Sequence, residues 1–363
     1  MKTWLKSLLV AATVATLFAC GDKEQGSASV VEQKHFKWKL VTSWPKNFPG
    51  LGTAPENFAK LVNKMSAGRL TVKVYGAGEI VPGFEVFDAV SQGTAQMGHA
   101  GAYYWKGKMP AAPIFTALPF GLNAQETNGW LHYGGGIELW RELYKPFGVI
   151  PFAGGNTGVQ AAGWFKKEIK SVEDLKGLKM RIPGLGGEVL KKLGAIPVAL
   201  TGGELFTSLQ SGAIDATEWV GPYNDLAFGF YKVTNHYYAS GWHEPGAMLE
   251  FTVNEKAFNE LPEDLQTIVE VATRAVNQDM LDEYTARNQS ALETLKNKHG
   301  VEAKTLPADV MKALKQASEE VIAEQIAADA TFAKIMASYS QFQQQVSAYH
   351  QISEVEYYKN RGL

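Results

Sequence analysis

Arg181 stands inside an apolar strand, Lys179-Met180-Arg181-Ile182-Pro183, and a guanidinium among buried neighbours needs an anion, because an unpaired buried charge is costly. Its planar fork matches a carboxylate through two parallel hydrogen bonds, a geometry lysine cannot reproduce. The partner is either a bound carboxylate or an internal Asp or Glu, and the sequence leaves both open. Two further segments carry carboxylates beside structural punctuation. In Ile214-Asp215-Ala216-Thr217-Glu218-Trp219-Val220-Gly221-Pro222 a strand ends in Glu218 and a large aromatic, Trp219, while His243-Glu244-Pro245-Gly246 places Glu244 just before a turn. Upstream, Gly154-Gly155-Asn156-Thr157-Gly158-Val159-Gln160 sets two primary amides, Asn156 and Gln160, in a glycine-rich turn where their side chains can face a cavity. Taken singly, each acid fits ordinary surface chemistry.

Catalytic signatures are missing around these residues. The chain has no G-x-x-x-x-G-K-[ST] phosphate cradle and no G-x-S-x-G elbow. Gly184-Leu185-Gly186-Gly187 opens a helix but lacks the G-x-G-x-x-G spacing, so a tight turn is its expected role. The seven histidines never fall in H-x-x-x-H or H-x-x-E-H spacing, and the single cysteine, Cys20, rules out a disulfide framework or cysteine-rich zinc site. With 35 basic against 37 acidic residues in 363, a formal charge of −2, nothing electrostatic favours nucleic acid as a partner.

The positioning elements read as alternating strands and helices. Period-two patterns mark strands at 36–41 and 70–75, helical spacing marks 54–66 and 84–91, and 95–99 is a short buried strand. This βαβαβ order calls for a parallel sheet covered by helices. Residues 101–123, with Pro110, Pro113 and Pro119, read as an irregular wall, followed by a helix near 124–145 and strands near 148–153 and 159–165. A second βα series runs from 178 to 228 with strands at 178–182, 197–200 and 214–218, then two strands at 232–239 and 248–254. Helices at 262–298, 307–324 and about 328–346 close the chain. The expected fold is α/β, with two lobes and a ligand cleft between them, and a long helical C-terminal segment. Trp44, Trp105, Trp164 and Trp242 are candidate cleft walls.

The N-terminus is an export signal. Lys2 and Lys6 precede the apolar run Ser7 to Ala19, too short to span a bilayer and suited to a leader. Leu17-Phe18-Ala19-Cys20-Gly21 resembles a bacterial lipobox, with Cys20 as the acylated residue and 20–35 as a tether. The expected organisation is a signal peptide at 1–19, the lipid anchor and tether at 20–35, a first lobe at 36–155, a second at 156–247, a return to the first at 248–305, and C-terminal helices at 306–363.

Lys179-Met180-Arg181, then Gly203-Glu204-Leu205-Phe206-Thr207-Ser208-Leu209-Gln210-Ser211-Gly212-Ala213-Ile214-Asp215, resembles the periplasmic solute receptors of TRAP transporters, the DctP family. The resemblance covers essentially everything from residue 36 onward. The segment Gly212 to Asp225 is similar to the branch that binds 2-oxo and 2-hydroxy monocarboxylates such as pyruvate and lactate, together with a metal cation. The resemblance implies a two-lobed periplasmic binding protein that closes on its ligand and hands it to a membrane permease, with no enzymatic reaction. It implies that Arg181 binds the substrate carboxylate, that Tyr103 and Asn156 hydrogen-bond the substrate, and that Trp219 lines the pocket. Gln160, Glu218, Glu244 and the backbone carbonyl of Trp219 are the implied metal ligands. Such hard oxygen donors suit Ca²⁺ or Na⁺, and two carboxylates plus a carboxylate ligand favour Ca²⁺. Loss of Arg181 to alanine is expected to abolish binding without unfolding the protein. A C4-dicarboxylate receptor of the same family, or an exported metal-dependent lyase or hydrolase, are the alternatives. The membrane is expected as a partner only through the lipid anchor. The C-terminal helices, with Phe342, Tyr349, Tyr357 and Tyr358, fold back on the chain or are exchanged in a homodimer.

Overall fold

The computed structural model describes residues 34–362; the leader, Cys20 and most of the tether lie outside the described residues. Among the described residues there are eleven strands: β1 Phe36–Thr42, β2 Leu70–Tyr75, β3 Met97–Ala100, β4 Val149–Asn156, β5 Gly163–Phe165, β6 Lys179–Arg181, β7 Ile196–Val198, β8 Ala216–Thr217, β9 His236–Tyr238, β10 Met248–Asn254 and β11 Glu302–Lys304. They form two sheets with helices, ordered β2-β1-β3-β10-β4 and β11-β9-β5-β8-β6-β7. The α/β architecture is therefore as the sequence predicts.

The first sheet is mixed rather than parallel. β1 runs parallel to β2 and β3, but β10 inserts antiparallel between β3 and β4. The reason is connectivity: the chain leaves this sheet at the end of β4, builds most of the second sheet, and re-enters through β10 alongside the strand by which it left. The two connections, 157–162 outbound and 239–247 inbound, consequently lie side by side. They are stitched by Thr157 N–H to Ala247 O (3.1 Å), Gln160 N–H to Glu244 O (3.1 Å) and Gly241 N–H to Gln160 O (2.7 Å). A Cβ at Gly241 would sit 2.7 Å from the Gln160 carbonyl oxygen, so only glycine permits this approach.

Other elements depart from the sequence reading in instructive ways. The helix expected over 124–145 is two helices, Ala124–Tyr133 and Gly136–Tyr144, broken at the glycine run. An Asn123–Glu126 capping box fixes the start of the first. β11 lies in the segment 248–305, expected as the return to the first lobe, and pairs in parallel with β9 of the second sheet. The 37-residue helix Glu263–His299 carries the chain there, packing on β4 and on the helix Pro222–Phe228. Three C-terminal helices follow, Ala308–Ala328, Ala330–Ile352 and Glu354–Arg361. Val310, Leu314, Ala317 and Val321 form a buried stripe on the first of them, whereas Ile326, Tyr349, Ile352, Tyr357 and Tyr358 are exposed. No described helix is long and apolar enough to cross a membrane.

Candidate functional site

β6 and β8 run parallel with Arg181 opposite Thr217, so the arginine ends its strand beside Glu218, which follows β8. Arg181 and Glu218 are almost fully buried and form an ion pair through Nη1 and Oε1. The internal acid left open by the sequence is therefore present. Arg181 Nη1 also approaches the Glu218 backbone carbonyl (3.4 Å) and Nε donates to Leu200 O (3.2 Å). Nη2 has only a 3.5 Å bond to the Tyr104 hydroxyl among the described residues. The Trp219 ring underlies the guanidinium at 5.0 Å. Burial opposes the charge of Arg181, but Glu218 keeps it above the usual arginine range.

The two stitched connections bring the remaining acid and amide. Gln160 Nε2 donates to Glu244 Oε2 (2.7 Å) and to Thr157 Oγ1 (3.2 Å). Gln160 Oε1 is buried with no hydrogen-bond partner among the described residues. His243 Nε2 lies 3.4 Å from Glu218 Oε2, and its Nδ1 is buried and unpartnered. Ligand atoms of Glu218, His243 and Glu244 all fall within 4.8 Å of one another. Burial, reinforced by the Glu218 charge, pushes the Glu244 carboxyl well above the carboxylate range, against the pull of Arg181 and the Gln160 hydrogen bond. Such a pair of buried acids is relieved by a proton or a cation. Two carboxylates and an unpartnered amide oxygen form a hard oxygen set, so the residues present fit Ca²⁺ or Na⁺.

Two cavities adjoin at Arg181, Tyr103 and Tyr104. The inner one, about 10 Å³, touches Gln160, Trp219, Thr157 and Trp44 and has room for about one water. The outer one, about 360 Å³, extends over Phe84, Ile182, Pro197 and Leu200. Burial, then the neighbouring acids, raise the Tyr103 hydroxyl well above its ordinary value, and burial takes Tyr104 to about 12; both stay protonated donors.

Arg181, Tyr103, Gln160, Trp219, Glu218 and Glu244 thus come together. Asn156 lines neither cavity: its Oδ1 accepts from Gly158 N–H (2.9 Å) and its Nδ2 donates to Gly246 O (3.4 Å), a bond that reaches the inbound connection. Of the four candidate tryptophan walls, Trp44 lines one of these two cavities and the other three line neither. Trp105 donates to Glu250, Trp164 to Asp225, and Trp242 packs against Phe120. Tyr104, Thr157 and His243 are the residues the sequence reading did not assign to the site. Each adjoins an assigned residue in sequence, Tyr103, Asn156 and Glu244 respectively, which was the available signal.

Comparison with known proteins places this geometry among relatives. The profile of the DctP family, described as bacterial extracellular solute-binding protein family 7, matches residues 40–329. A monocarboxylate 2-oxoacid-binding periplasmic protein of Nostoc sp. strain PCC 7120 is 42% identical over 97% of this chain and 96% of its own. A TRAP periplasmic solute-binding protein of Pseudoalteromonas atlantica, crystallised with bound sodium and pyruvate, is 46% identical with a TM-score of 0.88, covering 90% of this chain and 99% of the other. The corresponding protein of Colwellia psychrerythraea, with bound calcium and pyruvate, is 47% identical, also with a TM-score of 0.88, over 90% and 100% of the two chains.

Proposed function

We propose that this chain, which belongs to the DctP family of TRAP-transporter solute-binding proteins, is a periplasmic receptor that captures a 2-oxo or 2-hydroxy monocarboxylate together with a cation and delivers it to its membrane permease. The observation that carries the reading is the buried, unpartnered Gln160 Oε1 beside Glu244 and Glu218. A cation bound to these oxygens and to the Trp219 carbonyl would supply positive charge to a chelating pair, the ligand carboxylate and its C2 oxygen. Relatives crystallised with bound sodium and pyruvate, or calcium and pyruvate, support a cation as part of the binding event. Arg181 and Tyr103 line the same cavity and would hold the other carboxylate oxygen. A ligand without the second oxygen would leave a buried cation under-coordinated, which is the source of selectivity.

Charge favours Ca²⁺ in this chain. Glu218, Glu244 and the ligand bring three negative charges, Arg181 returns one, and a divalent ion balances the rest. A C4-dicarboxylate would need a second cationic anchor. Lys106, which lines the outer cavity, is already paired with Glu188 at 2.5 Å. The receptor role involves no reaction, so no residue is assigned as catalytic. Lipidation of Cys20 would tether the receptor to the membrane, and the exposed C-terminal aromatics are the surface on which a second copy would dock.

A thermal-shift panel on metal-stripped protein tests the reading. Stabilisation that requires both pyruvate or lactate and Ca²⁺ is expected, since ligand at 1,000 times its dissociation constant stabilises by about 4 kcal/mol. A shift with malate alone, indifferent to EDTA, would refute the metal site; product formation from the same acids by NMR would refute the receptor role.

A further inference from the structure

Four non-glycine residues among those described adopt left-handed backbone, and two of them, Phe120 (φ +56°) and Ser240 (φ +61°), lie in segments that meet beside Glu244. A bulky aromatic in this region is a genuine outlier that persists only where its surroundings over-determine it. Here they do. Phe120 N–H donates to Trp242 O (2.8 Å), two residues before Glu244, and its ring packs on the Trp242 ring at 6.2 Å. From the other side, Gln343 Nε2 on the helix Ala330–Ile352 donates to Phe120 O (3.2 Å). Tyr339 of the same helix accepts from Leu122 N–H (2.6 Å). Its hydroxyl sits 2.3 Å from where a Cβ of Gly121 would be, so the turn can only close on that helix with glycine at 121. The result is an unbroken set of contacts from the C-terminal helix, through the strained turn, to the loop that carries His243 and Glu244.

We propose that Phe120 is a positioning residue, clamped by the C-terminal helix through Gln343 and Tyr339, that fixes the 239–247 loop and thereby sets cation affinity at Glu244. The inference rests on the reading of Glu244 as a cation ligand. The loop's opposite side is pinned to Gln160, so the turn at Phe120 supplies the second point of attachment that a loop needs to hold a side chain within tight limits. Loss of such outer support characteristically lowers metal affinity. The carboxylate anchor Arg181 lies on β6, outside this set of contacts.

The test compares metal-stripped wild type with Phe120→Gly and Gln343→Ala. Glycine accepts the left-handed backbone without strain while deleting the ring, and Gln343→Ala leaves the ring but releases its carbonyl. Ca²⁺ is titrated calorimetrically, pyruvate is titrated at saturating Ca²⁺, and melting temperature is recorded. The expected result is Ca²⁺ affinity weakened by about 10-fold or more in each variant, with pyruvate affinity at saturating Ca²⁺ and melting temperature held. Wild-type Ca²⁺ affinity in both variants overturns the proposal, as does a parallel fall of both affinities and melting temperature, which marks a merely structural role. Should Phe120→Gly fail to fold, Gln343→Ala decides alone. A wild type that binds no Ca²⁺ refutes instead the cation reading on which the proposal rests.

Discussion

The guanidinium of Arg181 meets two demands at once, and they dictate how it can be probed. It neutralises Glu218 in the interior and presents Nη2 to the cavities. Removing it leaves a buried carboxylate without its partner, a change that costs about 3–5 kcal/mol. Alanine at this position is therefore expected to destabilise the protein as well as abolish binding, contrary to the expectation from sequence. Arg181→Lys retains a charge for Glu218 but not the fork. It is expected to keep the fold while weakening pyruvate binding by roughly 10- to 100-fold, the worth of one charge-assisted hydrogen bond. Calorimetric titration beside a denaturation curve checks both halves; unchanged pyruvate affinity in a folded Arg181→Lys protein would remove Arg181 from the site. The strand context of Arg181 was legible because a charge between Met180 and Ile182 violates the apolar pattern. That its partner is Glu218 was not, because the β6–β8 register is a long-range fact with no local signal.

At the scale of elements, β10 carries a buried acid outside the cluster around Arg181 and Glu244. Its Glu250 accepts hydrogen bonds from Trp105 Nε1 (2.5 Å) and the Tyr144 hydroxyl (2.7 Å) and is fully buried. Burial raises this carboxyl from 4.5 to about 7, against the lowering effect of those two bonds. The folded state thus holds a proton that the unfolded state releases between pH 4.5 and about 7. Stability from this group is complete below pH 4.5 and is lost as pH rises through 7. At about 1.4 kcal/mol per unit, the loss is roughly 3 kcal/mol. Glu250→Gln removes it, so the stability of the wild type relative to the variant is expected to decline by that order between pH 4.5 and 8. Asp225, raised likewise to about 7 by burial, and His99, lowered to about 4 by burial, titrate in both proteins and cancel in the comparison. Parallel pH profiles in urea denaturation would show that Glu250 is not the group responsible. Strand and helix existence followed from periodicity along most of the chain. The antiparallel insertion of β10 and the pairing of β11 did not, because each depends on where a distant connection delivers the strand. The direction of the Asn156 amide is long-range information for a related reason: a glycine-rich turn shows that an amide has freedom, not which way the turn faces.

Across the whole molecule, the ligand space is walled by residues from segments attached to different sheets, and one ion pair joins those walls at the outer cavity. Lys106 follows the turn Ala102–Trp105 near β3, Glu188 lies in the helix Gly184–Lys192 after β6, and their charged atoms are 2.5 Å apart. Because the pair spans the two walls beside Arg181, it is expected to bear on ligand release more than on capture. Its side chains are 34% and 38% exposed, which limits its worth to about 1 kcal/mol or less. Lys106→Ala is accordingly expected to speed pyruvate dissociation by up to about fivefold and to leave the association rate nearly unchanged. Stopped-flow tryptophan fluorescence is the natural measurement, because Trp44 and Trp219 border the inner cavity. Salt supplies the internal control: screening weakens an exposed pair, so the gap between variant and wild type should narrow as ionic strength rises. Equal dissociation rates at low salt would mean that closure is held by the buried contacts around Arg181 alone. A difference that salt does not touch would mean that Lys106 acts by packing its stem over Tyr103 and Tyr104 rather than by its charge.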